Sequence, residues 1–169
     1  MITDLNEIKH LGVERKNENL RFRSFLKGQI GRKVDKIVHK LNKIYFKKID
    51  CTKCGNCCAD LSPNIHDDEI QAVCNKVELP VASFLRDFTE MDDIGDRHLQ
   101  SRPCSFLMQK QCIIYEVRPQ TCRDFPHLHK SGFISNYYGV MVVYSVCPIV
   151  FNVVEDLKDK LKFKRKLSV

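Results

Sequence analysis

The chain has 169 residues, 43% of them hydrophobic and 29% charged, about one domain's worth of sequence with enough apolar material for a core. Its 7 Gly and 6 Pro are too few for a collagenous or low-complexity chain, and its apolar content is too high for disorder. The formal net charge of +7 is unevenly spread: residues 1–50 carry +7, residues 51–150 carry −3 and residues 151–169 carry +3. No uninterrupted apolar run reaches the roughly 18 residues of a membrane span. The opening MITDLNEIKHLGVERKNEN has neither an apolar block nor a small-residue cleavage site, so we expect a cytoplasmic protein.

Along residues 18–48, Phe22, Phe25, Leu26, Ile30, Val34, Ile37, Leu41, Ile44 and Tyr45 recur every three or four positions among Lys and Arg. This spacing predicts an amphipathic helix laid on the core through one stripe. Gly28 and Gly31 fall inside the pattern and each costs about 1 kcal/mol relative to Ala, which predicts a break between them. Residues 67–76 predict a short helix, with acids in the first turn and Ile70, Val73, Cys74 and Val77 on one side. Leu79-Pro80 opens another, with Phe84, Leu85 and Phe88 inward. Residues 91–96 read as an acidic loop; residues 98–101, 105–108 and 112–115 read as short extended pieces, the last two joined by a polar turn. The β-branched and aromatic run at 137–146 predicts a strand. Pro148 starts a final helix with Val150, Val153, Val154, Leu157 and Leu161 inward, ahead of a basic tail at 162–166.

Nine cysteines stand out, all between Cys51 and Cys147. An odd count cannot pair completely, and a reducing compartment disfavours a disulfide framework, so metal binding is the leading explanation. Cys51, Cys54, Cys57 and Cys58 form a C-x2-C-x2-C-C run. Two-residue spacing lets a tight turn aim both sulfurs at one ion, and Gly55 allows the positive φ of such a knuckle. Adjacent side chains point apart in helix or strand, so Cys57 and Cys58 are expected to serve two sites or two metals. Downstream lie Cys104, Cys112, Cys122 and Cys147, giving eight thiols for two four-thiolate centres. Cys74 sits on the apolar face of its helix and reads as a buried structural thiol. Cys147 precedes a Pro-led helix and Cys122 precedes Arg123, both settings that favour a thiolate.

The pattern Cys51, Cys54, Gly55, Cys57, Cys58, then Cys104, Cys112, Tyr115, Glu116, Arg118, Pro119, Cys122, Arg123, Phe125, Pro126, then Cys147, Pro148 resembles the CxxCxxCC cysteine-cluster family. The resemblance covers residues 51–148 and implies zinc or iron chelation. A related cysteine cluster occurs in flagellin lysine methylases, which methylate protein side chains, so a role in protein modification is also implied.

Tyr115, Glu116, Arg118 and Arg123 admit two roles. A buried Arg–Glu pair with the Tyr hydroxyl would hold the cysteine loops and donate to sulfur, or the same groups would bind a substrate anion. His66, His127 and His129 read as surface-loop histidines. The C-x2-C-x2-C turn with a remote Cys-Pro resembles ferredoxin-type ligation and favours iron–sulfur, with a redox role. Zinc in closed tetrathiolate sites would instead be structural, and the basic ends of such a module would contact RNA or an acidic protein partner. A C-x3-C-x2-C run, a phosphate-binding G-x-x-x-x-G-K-[ST] loop and a G-x-G-x-x-G turn are all absent from the sequence, so radical and nucleotide chemistry lack support. Any substrate, protein or small molecule, is not legible at this level.

The expected fold is a small, mostly helical α+β single domain organised around the metal cluster, with a few short strands. Its parts are a basic amphipathic helical segment (1–50), a cysteine-cluster domain (51–150) and a C-terminal helix with a basic tail (151–169).

Overall fold

A computed structural model describes residues 1–165. Three helices open the chain, α1 (Leu5–Glu14), α2 (Lys16–Leu26) and α3 (Gly31–Lys48), and two short ones follow, α4 (Cys51–Cys54) and α5 (Asn56–Asp60). Helices α6 (Asp67–Val77) and α7 (Val81–Phe88) precede two antiparallel hairpins, β1 (Thr89–Met91) with β2 (Arg97–Leu99) and β3 (Leu107–Met108) with β4 (Gln111–Cys112). A 3-10 turn (Tyr115–Val117), α8 (Gln120–Asp124), α9 (Tyr137–Val143) and α10 (Pro148–Lys160) complete the order. The fold is α+β and mostly helical, as the sequence predicts. The chain forms two compact units, one of Met1–Asp50 with the chain from Pro126 onward, the other Cys51–Phe125.

The first unit is all helical. Its centre is α10, where Ile149, Val150, Phe151, Val153, Val154 and Leu157 are buried around the whole circumference. Residues 148–154 are all buried, so the first turns of α10 lie inside the core on every side. Helix α3 packs along it through Val34, Val38, Leu41 and Tyr45, while α1 and α2 contribute Ile8, Phe22 and Leu26. The break predicted between Gly28 and Gly31 is present, α2 ending at Leu26 and α3 starting at Gly31. Past that break the inward stripe is rotated, leaving Ile30 and Ile44 exposed. The sequence reading passed over α1, whose start is capped by Asp4, its Oδ1 accepting the Glu7 N–H at 2.8 Å.

One charged side chain lies inside this core. Lys158 has no solvent exposure, and its Nζ donates to Glu18 Oε1 at 2.7 Å and to Glu155 Oε1 at 2.6 Å. Glu155 also pairs with Arg15 and accepts the Tyr144 hydroxyl at 2.7 Å. Burial pushes the Glu155 carboxyl up, but Lys158, Tyr144 and Arg15 outweigh it and hold the group below the usual range.

The strand predicted at 137–146 is instead helix α9 with the turn after it. Tyr137 and Tyr144, seven apart, are buried, whereas Tyr138 and Val142 are exposed. That is helical spacing, and burial of the two tyrosines overrides β propensity. In the basic tail Arg165 is drawn back, its Nη1 donating to Glu155 Oε2 at 2.9 Å and its Nη2 to Asp159 Oδ1 at 2.7 Å. Lys166, the last residue assigned to that tail, lies outside the described residues.

The second unit has its own core: Ile65, Ile70, Val73, Cys74, Phe84, Leu99, Phe106 and Ile114. Phe84, Phe88 and Phe106 stack on one another with centroids 5.6 to 6.3 Å apart. Both predicted helices are present here, as α6 and α7, with Pro80 one residue earlier than expected, at the N-cap of α7. Strand β1 was not anticipated; it pairs Thr89 with Leu99 across the acidic loop. Cys104 and Cys112 pack against this core from its edge.

Candidate metal centre

The cysteine run is a knuckle of two helical turns. Helix α4 carries Cys51 and Cys54, and α5 carries Cys57 and Cys58. Gly55 between them has φ +63°, and a Cβ there would meet the Lys110 carbonyl oxygen at 2.9 Å. The turn therefore needs glycine both for its backbone conformation and for the approach of the β3–β4 loop. Cys51 is exposed, while Cys54, Cys57 and Cys58 are partly buried. The Cys57 and Cys58 sulfurs are 4.0 Å apart, closer than the divergence expected of neighbours.

Two local structures bring the downstream cysteines to this knuckle. The Cys104 N–H donates to the Cys58 carbonyl at 2.8 Å, and the β3–β4 register sets Leu107 opposite Cys112. Pro119 then caps α8, which carries Cys122. Cys58, Cys104, Cys112 and Cys122 lie close enough for charge on one to act on the others. Burial pushes the Cys122 thiol up to about 12, with the charges of Cys58, Cys104 and Cys112 adding to the rise. Cys104 and Cys112 are raised by burial first and by the Cys58 charge second, against the pull of the Phe106 and Ile114 backbone N–H groups. Cys58 moves the other way: its hydrogen bond with Cys57 and the Arg118 guanidinium outweigh burial and hold it at about 7.

Arg118 is the cation beside these sulfurs, its charge favouring the thiolates of Cys58, Cys112 and Cys122. Its guanidinium stacks on the Tyr115 ring with 3.7 Å to the centroid, and Nη1 donates to the Tyr115 carbonyl at 2.6 Å. Glu116 does not form the buried pair with Arg118 that the sequence suggested. It is exposed and pairs with Lys76 at 3.7 Å. Arg123 braces rather than faces Cys122. Its Nη2 donates to Glu69 Oε1 at 3.1 Å, Nε to Gln120 Oε1 at 2.9 Å and Nη1 to the Arg118 carbonyl at 2.5 Å.

The sequence reading overlooked Glu69. Its Oε2 accepts the His66 N–H at the start of α6 at 3.0 Å, and its Oε1 accepts the Gln120 N–H at the start of α8 at 2.6 Å. One carboxylate thus ties two helix starts together. Its place three residues into α6 was the available signal. Cys74 is buried in the core on α6, as expected. Cys147 belongs to the other unit, buried at the N-cap of α10. His66 and His129 are exposed, and His127 is half-buried with φ +60°.

The donor set suits a thiophilic metal: partly buried sulfurs, one guanidinium for the excess negative charge, and a knuckle glycine. Among the described residues no three His, Cys, Asp or Glu side chains are already arranged to hold a metal ion. Among the same residues no helix is long and apolar enough to cross a membrane. Residues 50–147 match the family model CxxCxxCC, described as "Putative zinc- or iron-chelating domain". No curated protein and no solved structure matches the chain.

Proposed function

Because the chain belongs to the CxxCxxCC family and so carries a metal-binding cysteine cluster, we propose that the bound species is an iron–sulfur centre in a redox protein, with Cys58, Cys104, Cys112 and Cys122 as the first ligand set. One observation supports this reading: Cys58, Cys104, Cys112 and Cys122 come from separate segments and lie near enough that charge on Cys58 raises the cost of ionising the other three. Protonated, such a cluster wastes four polar groups; a metal cation makes the same convergence favourable. Cys51, Cys54 and Cys57 on the knuckle are the thiols for a second centre. Cys147, the eighth cysteine of the sequence pattern, lies in the other unit and is assigned to neither centre.

When bound, an iron–sulfur centre supplies one-electron transfer. The chain's own part is electrostatic and geometric. Arg118, held flat on Tyr115, offsets thiolate charge, and it can also meet an anionic group on a partner or substrate. Arg123 and Glu69 fix the helix that presents Cys122. The family description and the four-thiol set equally suit zinc, whose closed tetrathiolate sites are structural.

Protein purified without oxygen decides between them by elemental analysis, acid-labile sulfide, visible absorption and EPR. Iron with stoichiometric sulfide and a visible band is the expected result. Zinc alone in protein never exposed to air overturns the iron–sulfur reading and moves the function to scaffolding.

A further inference from the structure

Helix α3 has work beyond filling the core of the first unit. Its solvent side carries Arg32, Lys33, Lys36, Lys40, Lys43, Lys47 and Lys48. Its one acid, Asp35, is occupied, accepting the Gly132 and Phe133 N–H groups at 3.0 Å each. Lys36, Lys40, Lys43 and Lys47 follow one another at four, three and four residues, a single row with steps of about 4.5–6 Å along the axis. Among the described residues none of the four is in an ion pair.

Beside the end of this row lies a groove of about 470 Å³, within the same unit, lined by His39, Asn42, Lys43, Phe46, Lys47 and His129. Among the described residues no carboxylate lines it. Phe46 is 48% exposed, a flat apolar ring left at the surface between two lysines. Asn42 is only 8% exposed, yet its Oδ1 has no hydrogen-bond partner. His39 Nε2 lies 3.2 Å from the Lys130 carbonyl, which can only accept. Cations, an exposed ring and an amide oxygen without a partner are the complement of a nucleotide: phosphate, base face and base edge. A row of lysines leading away from them continues the phosphate track.

We propose that this face of α3 binds single-stranded nucleic acid, with phosphates along Lys36, Lys40, Lys43 and Lys47 and one unstacked base on Phe46 in the groove. The cavity favours this over an anionic lipid surface, which needs no pocket for a base edge. Binding is salt-dependent through the lysines and sequence-tolerant, because every base offers a face to the ring. The proposal rests on the first unit and stands independently of the metal.

The test is fluorescence anisotropy of the full chain with 12-nucleotide single strands of RNA and DNA, a hairpin of matched composition, and vesicles of phosphatidylserine and phosphatidylcholine, over a salt series. The variants are Phe46→Ala and Lys43→Glu/Lys47→Glu, all at exposed positions, with thermal unfolding to confirm that each is folded. Single strands should bind more tightly than the hairpin. Phe46→Ala should weaken them by at least about fivefold, the low end of one lost base stack. The lysine pair variant should flatten the salt slope by about 1.4, two contacts at roughly 0.7 each. Absence of binding at low salt, binding that both variants leave intact, equal binding of the hairpin, or preference for the vesicles would each overturn the proposal.

Discussion

Glu69 and Arg123, fifty-four positions apart, meet at 3.1 Å, and the same carboxylate oxygen accepts the Gln120 N–H at 2.6 Å. The contact fixes the start of α8, and with it Cys122, to the start of α6. Removing it should show in metal affinity as well as in stability. Glu69→Ala leaves Gln120 N–H and Arg123 to water, at a stability cost of about 1–3 kcal/mol. Support for a ligand is typically worth roughly 10–100-fold in metal affinity. We expect a loss of about tenfold, near the low end of that range, read by competition with a chromogenic chelator. Unchanged affinity would mean that α8 holds its place without Glu69.

The proposed ligand set divides the cysteines into ligands and filler. Cys122→Ser and Cys104→Ser remove members of the convergent four and should lower the metal-to-protein ratio and the thermal midpoint together. Cys74→Ser buries a hydroxyl in an apolar core, where Cys74 is 1% exposed and its thiol is pushed up by burial. It should lose about 1–3 kcal/mol of stability with full metal stoichiometry retained. Equal metal loss in all three variants, measured by elemental analysis, would refute the division.

Residue type and spacing made much of this legible. The knuckle glycine, the thiol buried on α6 and the Pro-led start of α10 each follow from one local rule, and the structure shows each of them. Long-range geometry did not show through. Arg123 was assigned to its neighbour Cys122 because adjacency is all that a sequence displays, yet its partner Glu69 is on another helix. The run at 137–146 was misread because β-branched residues fit a strand as well as they fill a helix facing a core. Only the burial of Tyr137 and Tyr144 decides between them. Lys158 is the same case in reverse, a lysine near a basic tail whose burial depends on two carboxylates.

That lysine gives a test of the first unit. Lys158→Met keeps the bulk of the side chain but leaves Glu18 and Glu155 without the ammonium that both hold. Breaking a buried pair from one side costs about 3–5 kcal/mol. Part is recovered because Arg15 and Arg165 still pair with Glu155. Urea unfolding should show a large fall in midpoint, and adding Glu18→Gln should restore some of it by removing the unpaired charge. A Lys158→Met variant as stable as the parent would mean that apolar packing, not the ion network, holds this region.

Alkaline pH probes the same unit through Tyr45, whose hydroxyl donates to Asp156 Oδ2 at 2.7 Å. Burial and that hydrogen bond push its phenol up to about 12. An unfolded tyrosine ionises near pH 10. Below about pH 10 both states hold the proton and the stabilisation is fully present. As pH rises further the unfolded chain releases its proton first, so stability falls, and this contribution is gone once pH passes the folded value. Tyr137 and Tyr144 are raised as well, chiefly by burial, and steepen the fall. We expect the thermal midpoint to drop from about pH 10 upward. Tyr45→Phe should be less stable at neutral pH and show a shallower alkaline drop. An identical slope in that variant would assign the alkaline transition to the other tyrosines alone.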